Sequence, residues 1–142
     1  MKNIFLDLGV ITEFLSDNSR QTEATASILT LAELKQIKVY MSPFHYCVLY
    51  SKFLKPSGHK KILEKLRKLK MITRVMKATN KVVEQSLNSA LNNFGIALQY
   101  HTARGSKKID AIVTNQLQEY GNSGIALFTP ETFLTAYWNT RK

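Results

Sequence analysis

The alternation of apolar and polar positions begins with a short strand and a helix. Residues 4–6 are apolar and are followed by Asp7, and after Gly9 the apolar residues of segment 10–15 fall on one helical face. In open α/β sheets, ligands bind outside the carboxyl ends of the strands. We therefore expect Asp7 to lie at a functional edge of a sheet.

Strands and helices continue to alternate along the chain. The pattern predicts strands at 38–41, 71–76, 109–114 and 125–128, a turn at 16–19, and helices at 20–36, 43–53, 57–70, 80–91, 93–104 and from Pro130 onward. The segment 109–114 is almost continuously apolar, as expected for a strand of a parallel sheet. This alternation predicts an α/β fold, a three-layer α/β/α sandwich with a mainly parallel central sheet.

The length of the chain predicts a single domain over residues 1–142. No run of about eighteen apolar residues is present, so we expect no membrane span and a cytoplasmic location. Cys47 is the only cysteine, which excludes an internal disulfide and a cysteine-based zinc site. Because Cys47 lies in an apolar stretch, we expect an inert, buried thiol.

The net charge of +10 comes from one part of the chain. Residues 52–81 hold eleven basic side chains and one acid, Glu64, which gives +10 for this window alone. Such an excess favours polyanions, and contacts to a phosphate backbone would be sensitive to salt. The candidate nucleic-acid-binding residues are Lys60, Lys61, Lys65, Lys68 and Lys70. The alternative is an ordinary solvated helix surface.

Two segments near the end of the chain match motifs of a known family. Residues 110–120 have the sequence DAIVTNQLQEY, close to the family pattern D-A-I-V-T-R-N-x-x-D-F, and residues 127–134 correspond to its L-T-P-E-E-F-L segment. Together with the opening strand and Asp7, they make the chain resemble the PIN domain, and most closely the small bacterial VapC-like proteins. The resemblance implies a metal-dependent ribonuclease in which carboxylates at the strand ends hold Mg²⁺ or Mn²⁺ and activate a water.

Most acidic positions of that family are replaced in this sequence. Asp7 is retained, and Glu119 keeps an acid at a neighbouring position, so these two are the remnant catalytic and weak metal-binding candidates. Asp110 begins its strand and should lie below the catalytic rim. The residues expected to line the cleft are not acidic: Gly9, Val48, Asn93, Ile96, Thr114, Asn115 and Gln116.

Some residues have two interpretations that the sequence leaves open. His45 could face the cleft beside Tyr46, or it could be a partly buried polar residue. Four tyrosines could stack on bases or belong to the core: Tyr40, Tyr46, Tyr50 and Tyr100.

Three functions are compatible with these residues. The leading hypothesis is a catalytically degenerate member of the ribonuclease family that binds RNA. The second is an active, toxin-like endoribonuclease with an atypical site that uses Asp7, Glu119 and Asp110 for one Mg²⁺ or Mn²⁺ ion. The third is a protein–protein interaction module, because the resemblance implies small antitoxin partners and homodimers.

Overall fold

The computed structural model describes residues 1–16 and 22–141. The strands are β1 Asn3–Leu6, β2 Lys38–Met41, β3 Arg74–Val75, β4 Ala111–Val113 and β5 Ala126–Phe128. The helices are α1 Leu8–Leu15, α2 Thr22–Glu33, α3 Pro43–Ser57, α4 His59–Ile72, α5 Asn80–Leu87, α6 Phe94–Arg104 and α7 Pro130–Asn139, and a 3₁₀ turn covers Leu117–Tyr120. Most of the turn predicted at 16–19, and the start of the helix predicted from residue 20, lie outside the described residues.

The five strands form one parallel sheet in the order β3-β2-β1-β4-β5. The central strand β1 pairs with β2, where Phe5 lies opposite Tyr40, and with β4, where Leu6 lies opposite Val113. The predicted α/β sandwich with a parallel central sheet is confirmed. The carboxyl ends of β1, β2 and β4 consequently meet at one edge of the sheet.

Side-chain alternation along the strands divides the core between the two faces of the sheet. Ile4 and Leu6 belong to the larger apolar cluster, which includes residues of α1, α2, α3, α4 and α7. Phe5 and Ile112 point the opposite way, into a smaller cluster that includes residues of α6. Successive residues of a strand face opposite sides, which produces the three layers. Burying each of these side chains stabilises the fold by about 1.5–3 kcal/mol.

Helices α3 and α4 form a hairpin that turns at Gly58. Pro43 occupies the first turn of α3, where its missing N–H would have no partner in any case. Gly58 has φ +84°, a conformation that side-chain-bearing residues rarely adopt, and it separates the two helices. Among the described helices, none is long and apolar enough to cross a membrane.

Two sequence-based predictions on this side of the fold are wrong in detail. Cys47 is exposed, not buried, because α3 buries His45, Leu49 and Phe53, and Cys47 lies between them on the outer face. The strand predicted at 71–76 is reduced to Arg74–Val75, since α4 continues through Ile72.

The helix predicted at 80–91 ends earlier, at Leu87. Val83 and Leu87 of this helix are 38% and 68% exposed. The buried residues of this helix are Val82 and Ser86, four positions apart. One buried stripe of a short helix cannot also include the neighbouring positions.

Candidate functional site

Asp7 lies where β1 ends and α1 begins. Its N–H donates to the carbonyl of Val113 over 2.9 Å, and its own carbonyl accepts from the N–H groups of Val10 and Ile11. The residue therefore extends the sheet and also caps the helix. Its side chain accepts from the Gly9 N–H, with 2.9 Å between nitrogen and Oδ2, which satisfies one of the free donors of the first helical turn.

The other carboxylate oxygen of Asp7 is bound by Tyr120. The Tyr120 hydroxyl donates to Oδ1 over 2.6 Å, and both residues are only 1% exposed. A short hydrogen bond from a hydroxyl to a carboxylate is charge-assisted and stronger than a neutral one. Protein donors thus bind both oxygens of Asp7.

Burial changes the acidity of both partners in this pair. It raises the pKa of the Asp7 carboxyl above its usual range, although the hydrogen bonds from Tyr120 and Gly9 act in the opposite direction. Burial and the charge of Asp7 both raise the pKa of the Tyr120 hydroxyl far above its usual range. Tyr120 therefore stays a proton donor to Asp7 at physiological pH.

Three residues contact Asp7 or the adjacent Leu8. A Cβ atom on Gly9 would stand 2.9 Å from Asp7 Oδ2, closer than real contacts allow, so the approach requires glycine. The buried Gln99 accepts from the Leu8 N–H through Oε1 over 2.7 Å. The Thr114 hydroxyl is buried, hydrogen-bonds to Asp7 and accepts from the Gln116 N–H. Two predicted cleft residues, Gly9 and Thr114, are thus brought to Asp7.

His45 hydrogen-bonds to the last residue of β1, next to Asp7. Its Nε2 lies 2.7 Å from the carbonyl oxygen of Leu6, which can only accept, so Nε2 carries the proton. Its Nδ1 then accepts from the N–H and the hydroxyl of Ser42, over 3.1 and 2.8 Å. The ring is fully buried, edge-on to Phe5, and burial lowers its pKa to about 4. His45 is a buried structural residue and does not face a cleft.

The other two candidate acids do not join Asp7 in a hydrogen-bonded cluster. Glu119 is exposed and is not among the groups that hydrogen-bond to Asp7. Asp110 Oδ2 accepts from the N–H groups of Lys2 and Asn3 over 3.0 and 2.9 Å, which places it at the amino-terminal end of β1. Tyr120 was not among the residues predicted from the sequence; the available signal was a tyrosine at the position where the PIN motif has phenylalanine.

Three residues that were expected to line the cleft belong to helices α3 and α6 or cap one of them. Asn93 caps α6, with its Oδ1 accepting from the Ile96 N–H over 3.0 Å. Ile96 is buried in the smaller apolar cluster. Val48 is half-buried on α3. An aliphatic side chain in two of these positions offers no ligand atom to a cation.

The donor set around Asp7 does not fit a divalent ion. Mg²⁺ and Mn²⁺ prefer several oxygen ligands, carboxylates foremost. Within residues 1–16 and 22–141, no three His, Cys, Asp or Glu side chains are placed to share a metal ion. Asn115 and Gln116 are exposed, and the Asn115 amide donates to Glu13 Oε2 over 3.1 Å. The arrangement is that of a hydrogen-bonded helix cap.

The five candidate lysines of α4 are exposed but lie on different sides of the helix. Lys65 and Lys68 border a groove of about 500 Å³ between α4 and helices α1 and α2. Lys70 borders a separate cavity beside β3. Lys60 and Lys61 lie in the first turn. The positive charge therefore surrounds the solvent side of α4 and does not form a single row.

Two solved structures are similar to this chain over most of its length. VapC20 of Mycobacterium tuberculosis, a toxin that cleaves the sarcin–ricin loop, has a TM-score of 0.61 and 19% identity, covering 83% of this chain and 95% of that one. VapBC2 of Rickettsia felis, solved with a DNA fragment from its promoter, has a TM-score of 0.65 and 12% identity, covering 89% and 98%. No protein-family model and no curated protein matches the sequence.

At these identities the likeness concerns the fold. It agrees with the five-stranded parallel sheet, with Asp7 at the carboxyl end of the central strand, and with the motifs at 110–120 and 127–134. The expected resemblance is confirmed: the chain has the fold of the VapC-like PIN domains.

Proposed function

We propose that this chain is an RNA-binding PIN-fold domain whose ribonuclease site has lost its metal-binding acids. The observation that carries the proposal is the bond between Tyr120 and Asp7, because it occupies the one family acid that lies at the carboxyl end of β1. A cation at Asp7 would compete with the Tyr120 hydroxyl and the Gly9 N–H for the carboxylate oxygens and would need further oxygen ligands. The buried, aliphatic Ile96 supports the same conclusion.

The distribution of charge supports RNA as the ligand. The whole excess of +10 falls within residues 52–81, and the five candidate lysines of α4 are exposed. Backbone phosphates attract such a surface without regard to sequence. The fold shared with a toxin that cleaves the sarcin–ricin loop makes an RNA surface the natural expectation.

The catalytic part of the proposal is tested with a mixed RNA pool in Mg²⁺ or Mn²⁺, beside EDTA controls. We expect no metal-dependent cleavage by the wild type, and the same background for Asp7→Ala. Asp7→Asn serves as the matched variant because it keeps a cap acceptor for Gly9. Metal-dependent cleavage that both variants abolish would contradict the proposal and establish the atypical nuclease.

The binding part is tested by charge removal on and off α4. The triple variant Lys61→Gln, Lys65→Gln and Lys68→Gln is compared with a triple variant of other exposed lysines, Lys2→Gln, Lys38→Gln and Lys107→Gln. For single-stranded RNA, losing three phosphate contacts should lower the log–log salt slope by about 2. The control should retain most of the slope. Equal losses would show attraction to net charge alone.

A second candidate function is capture of an antitoxin-like protein. The groove between α1, α2 and α4 is lined mainly by apolar residues, and its charged lining residues are Lys65, Lys68 and Glu33. Since VapBC2 is a related fold solved as a complex on DNA, we propose that this groove takes an amphipathic partner segment. Its apolar face would lie in the groove and its acids would face the two lysines.

The groove also makes protein and RNA compete, because both ligands would use Lys65 and Lys68. A synthetic amphipathic peptide with flanking glutamates should displace RNA from the wild type. Ala26→Arg, which fills the groove, should abolish this displacement, while the control Ser27→Arg, on the exposed neighbouring position, should retain it. Displacement that survives Ala26→Arg would overturn the partner assignment.

The homodimer that the family resemblance implies stays a prediction.

A further inference from the structure

A second cavity lies beside the outer strand β3, which β2 separates from β1 and Asp7. It has a volume of about 630 Å³ and is bounded by β2, β3, the start of α5 and the turn that follows α6. Its lining runs from Arg74 at the start of β3 to Lys77, two residues after the end of this strand, and includes Lys108 before β4. Sites for small molecules and cofactors typically measure roughly 300–1,000 Å³.

Four cationic side chains line this cavity: Lys70, Arg74, Lys77 and Lys108. Of the described residues that line it, none is acidic. Glu84 and Asp110 are each two positions from a lining residue in sequence, and Asp110 accepts from the N–H groups of Lys2 and Asn3 through one carboxylate oxygen. A concave site lined by charges of one sign attracts ions of the opposite sign. The cavity therefore suits an anion.

Several uncharged donors converge on the same space. The Tyr40 side chain is half-buried, and its hydroxyl has no hydrogen-bond partner within the described part of the chain. The Ser106 hydroxyl accepts from the Lys108 N–H over 3.2 Å, which leaves its own proton available. Helix α5 begins here, where the Thr79 hydroxyl accepts from the Val82 N–H and the Thr79 carbonyl accepts from the Val83 N–H. A helix N-terminus adds N–H donors that favour phosphate.

The walls of the cavity are held by hydrogen bonds to two backbone carbonyls. The Met76 N–H donates to the carbonyl of Met41 over 2.8 Å, which holds the segment after β3 against β2. On the other side, the Asn3 amide donates to the carbonyl of Lys108 over 3.0 Å. A site held in place before the ligand arrives loses less free energy on binding.

We propose that this cavity binds the phosphate groups of a small nucleotide. Arg74, Lys77 and Lys108 contact the phosphates, and the nucleoside covers the apolar part of the lining, formed by Tyr40, Met76 and Val82. The volume is much larger than a phosphate ion requires, which is why a nucleotide and not free phosphate is the assigned ligand. Aromatic rings such as that of Tyr40 bind bases through stacking without sequence selection.

The test is titration calorimetry of the full chain with ATP, pyrophosphate and adenosine. We expect ATP to bind more tightly than pyrophosphate, and adenosine more weakly than both. The double variant Arg74→Gln and Lys77→Gln should lower ATP affinity about tenfold or more. The matched control, Lys52→Gln and Lys55→Gln on α3, removes the same charge outside the cavity and should change affinity by less than about twofold.

Three results would overturn the assignment: no ATP binding, pyrophosphate binding as tightly as ATP, or equal losses in the two double variants. Lys108→Gln, outside any strand, provides an independent variant should Arg74→Gln disturb β3, and should cost about fivefold. The α4 variant used for RNA should bind ATP normally, so that the two proposals fail separately. If the cavity variants weaken single-stranded RNA while ATP does not bind, the cavity is part of an RNA surface and the nucleotide assignment is wrong.

Discussion

The two edges of the sheet have opposite chemistry. At the carboxyl edge, Asp7, Tyr120 and His45 are almost fully buried, and their polar atoms bind protein groups. At the lateral edge formed by the outer strand β3, the open edge, Arg74 and Lys77 are exposed around a cavity. Sheets of this class usually bind ligands at the carboxyl edge. Here the polar groups at that edge are hydrogen-bonded to other groups of the protein. The position of a residue in a fold therefore does not by itself show that it binds a ligand.

The two edges should respond differently to substitution. Changes at the closed carboxyl edge should lower the free energy of unfolding, because each removes a buried hydrogen bond. Changes at the open edge should affect binding and leave stability nearly unaltered.

The largest effect is expected for His45→Leu. The substitution leaves the Leu6 carbonyl and the Ser42 N–H without partners in the core, and should lower the free energy of unfolding by about 3 kcal/mol or more. Urea denaturation measures the difference. Tyr46→Phe is the control, because the Tyr46 hydroxyl has only a 3.5 Å contact with Thr73. If the two variants were equally stable, the buried hydrogen bonds of His45 would not stabilise the carboxyl edge, contrary to the prediction.

Acid should destabilise the protein through the same histidine. Its pKa is about 4 in the folded chain and 6.5 without burial, so the unfolded state takes up a proton first as the pH falls. The stabilisation is fully present above pH 6.5 and is lost toward pH 4, an effect of about 3 kcal/mol. Asp7 has a raised pKa and acts in the opposite direction, gaining stability as it protonates. Urea midpoints between pH 7 and pH 4 should fall less in His45→Leu than in the wild type; parallel profiles would contradict the assignment.

Tyr120→Phe should have the next largest effect. The ring keeps its packing, and only the 2.6 Å hydrogen bond to Asp7 is lost. Stability should fall by about 2 kcal/mol, and by about 1 kcal/mol when Asp7→Asn is already present. A double-mutant cycle in urea measures this coupling. If the effects of Tyr120→Phe and Asp7→Asn on stability were strictly additive, the hydrogen bond between these residues would not stabilise the carboxyl edge.

The smallest effect on stability is expected at the open edge. Arg74→Gln with Lys77→Gln should change the free energy of unfolding by no more than about 0.5 kcal/mol. A slight gain is the expected sign, because like charges repel one another. Thermal unfolding at low salt provides the measurement. A decrease in the free energy of unfolding of more than about 1 kcal/mol would show that Arg74 and Lys77 stabilise the fold, which would contradict a role in binding alone.

The elements that could be predicted from the sequence have strong local signals. Residues 109–114 contain the buried strand Ala111–Val113, and the Thr129-Pro130-Glu131 start gives the helix Pro130–Asn139. Element boundaries with weak sequence signals were predicted wrongly where the preceding element continued. Helix α4 extends through Ile72, so β3 is shorter than the predicted strand at 71–76. Cys47 was misplaced because an apolar stretch does not reveal which helical face is buried.

The site could be predicted only in part. The position of Asp7 could be predicted because a single residue between a strand and a helix is a local feature. Its partner Tyr120 is 113 positions away, and pairing at that distance depends on the whole sheet. The adjacent Glu119 was the expected acid, but in the 3₁₀ turn it is the next side chain that is buried. Charge alone identified the basic window and could not divide its lysines between a groove and a cavity.

The shortness of β3 affects how copies of this chain meet in concentrated solution. A free strand edge is a template on which another chain can add a strand and begin to aggregate. One of the two outer strands of the described sheet, β3, contains only Arg74 and Val75, so this edge offers few unpaired backbone groups. Arg74 and the nearby Lys77 would also bring like charges together if two such edges approached. The cations that make the open edge attractive to phosphates thus also oppose fibrous assembly of the protein with itself.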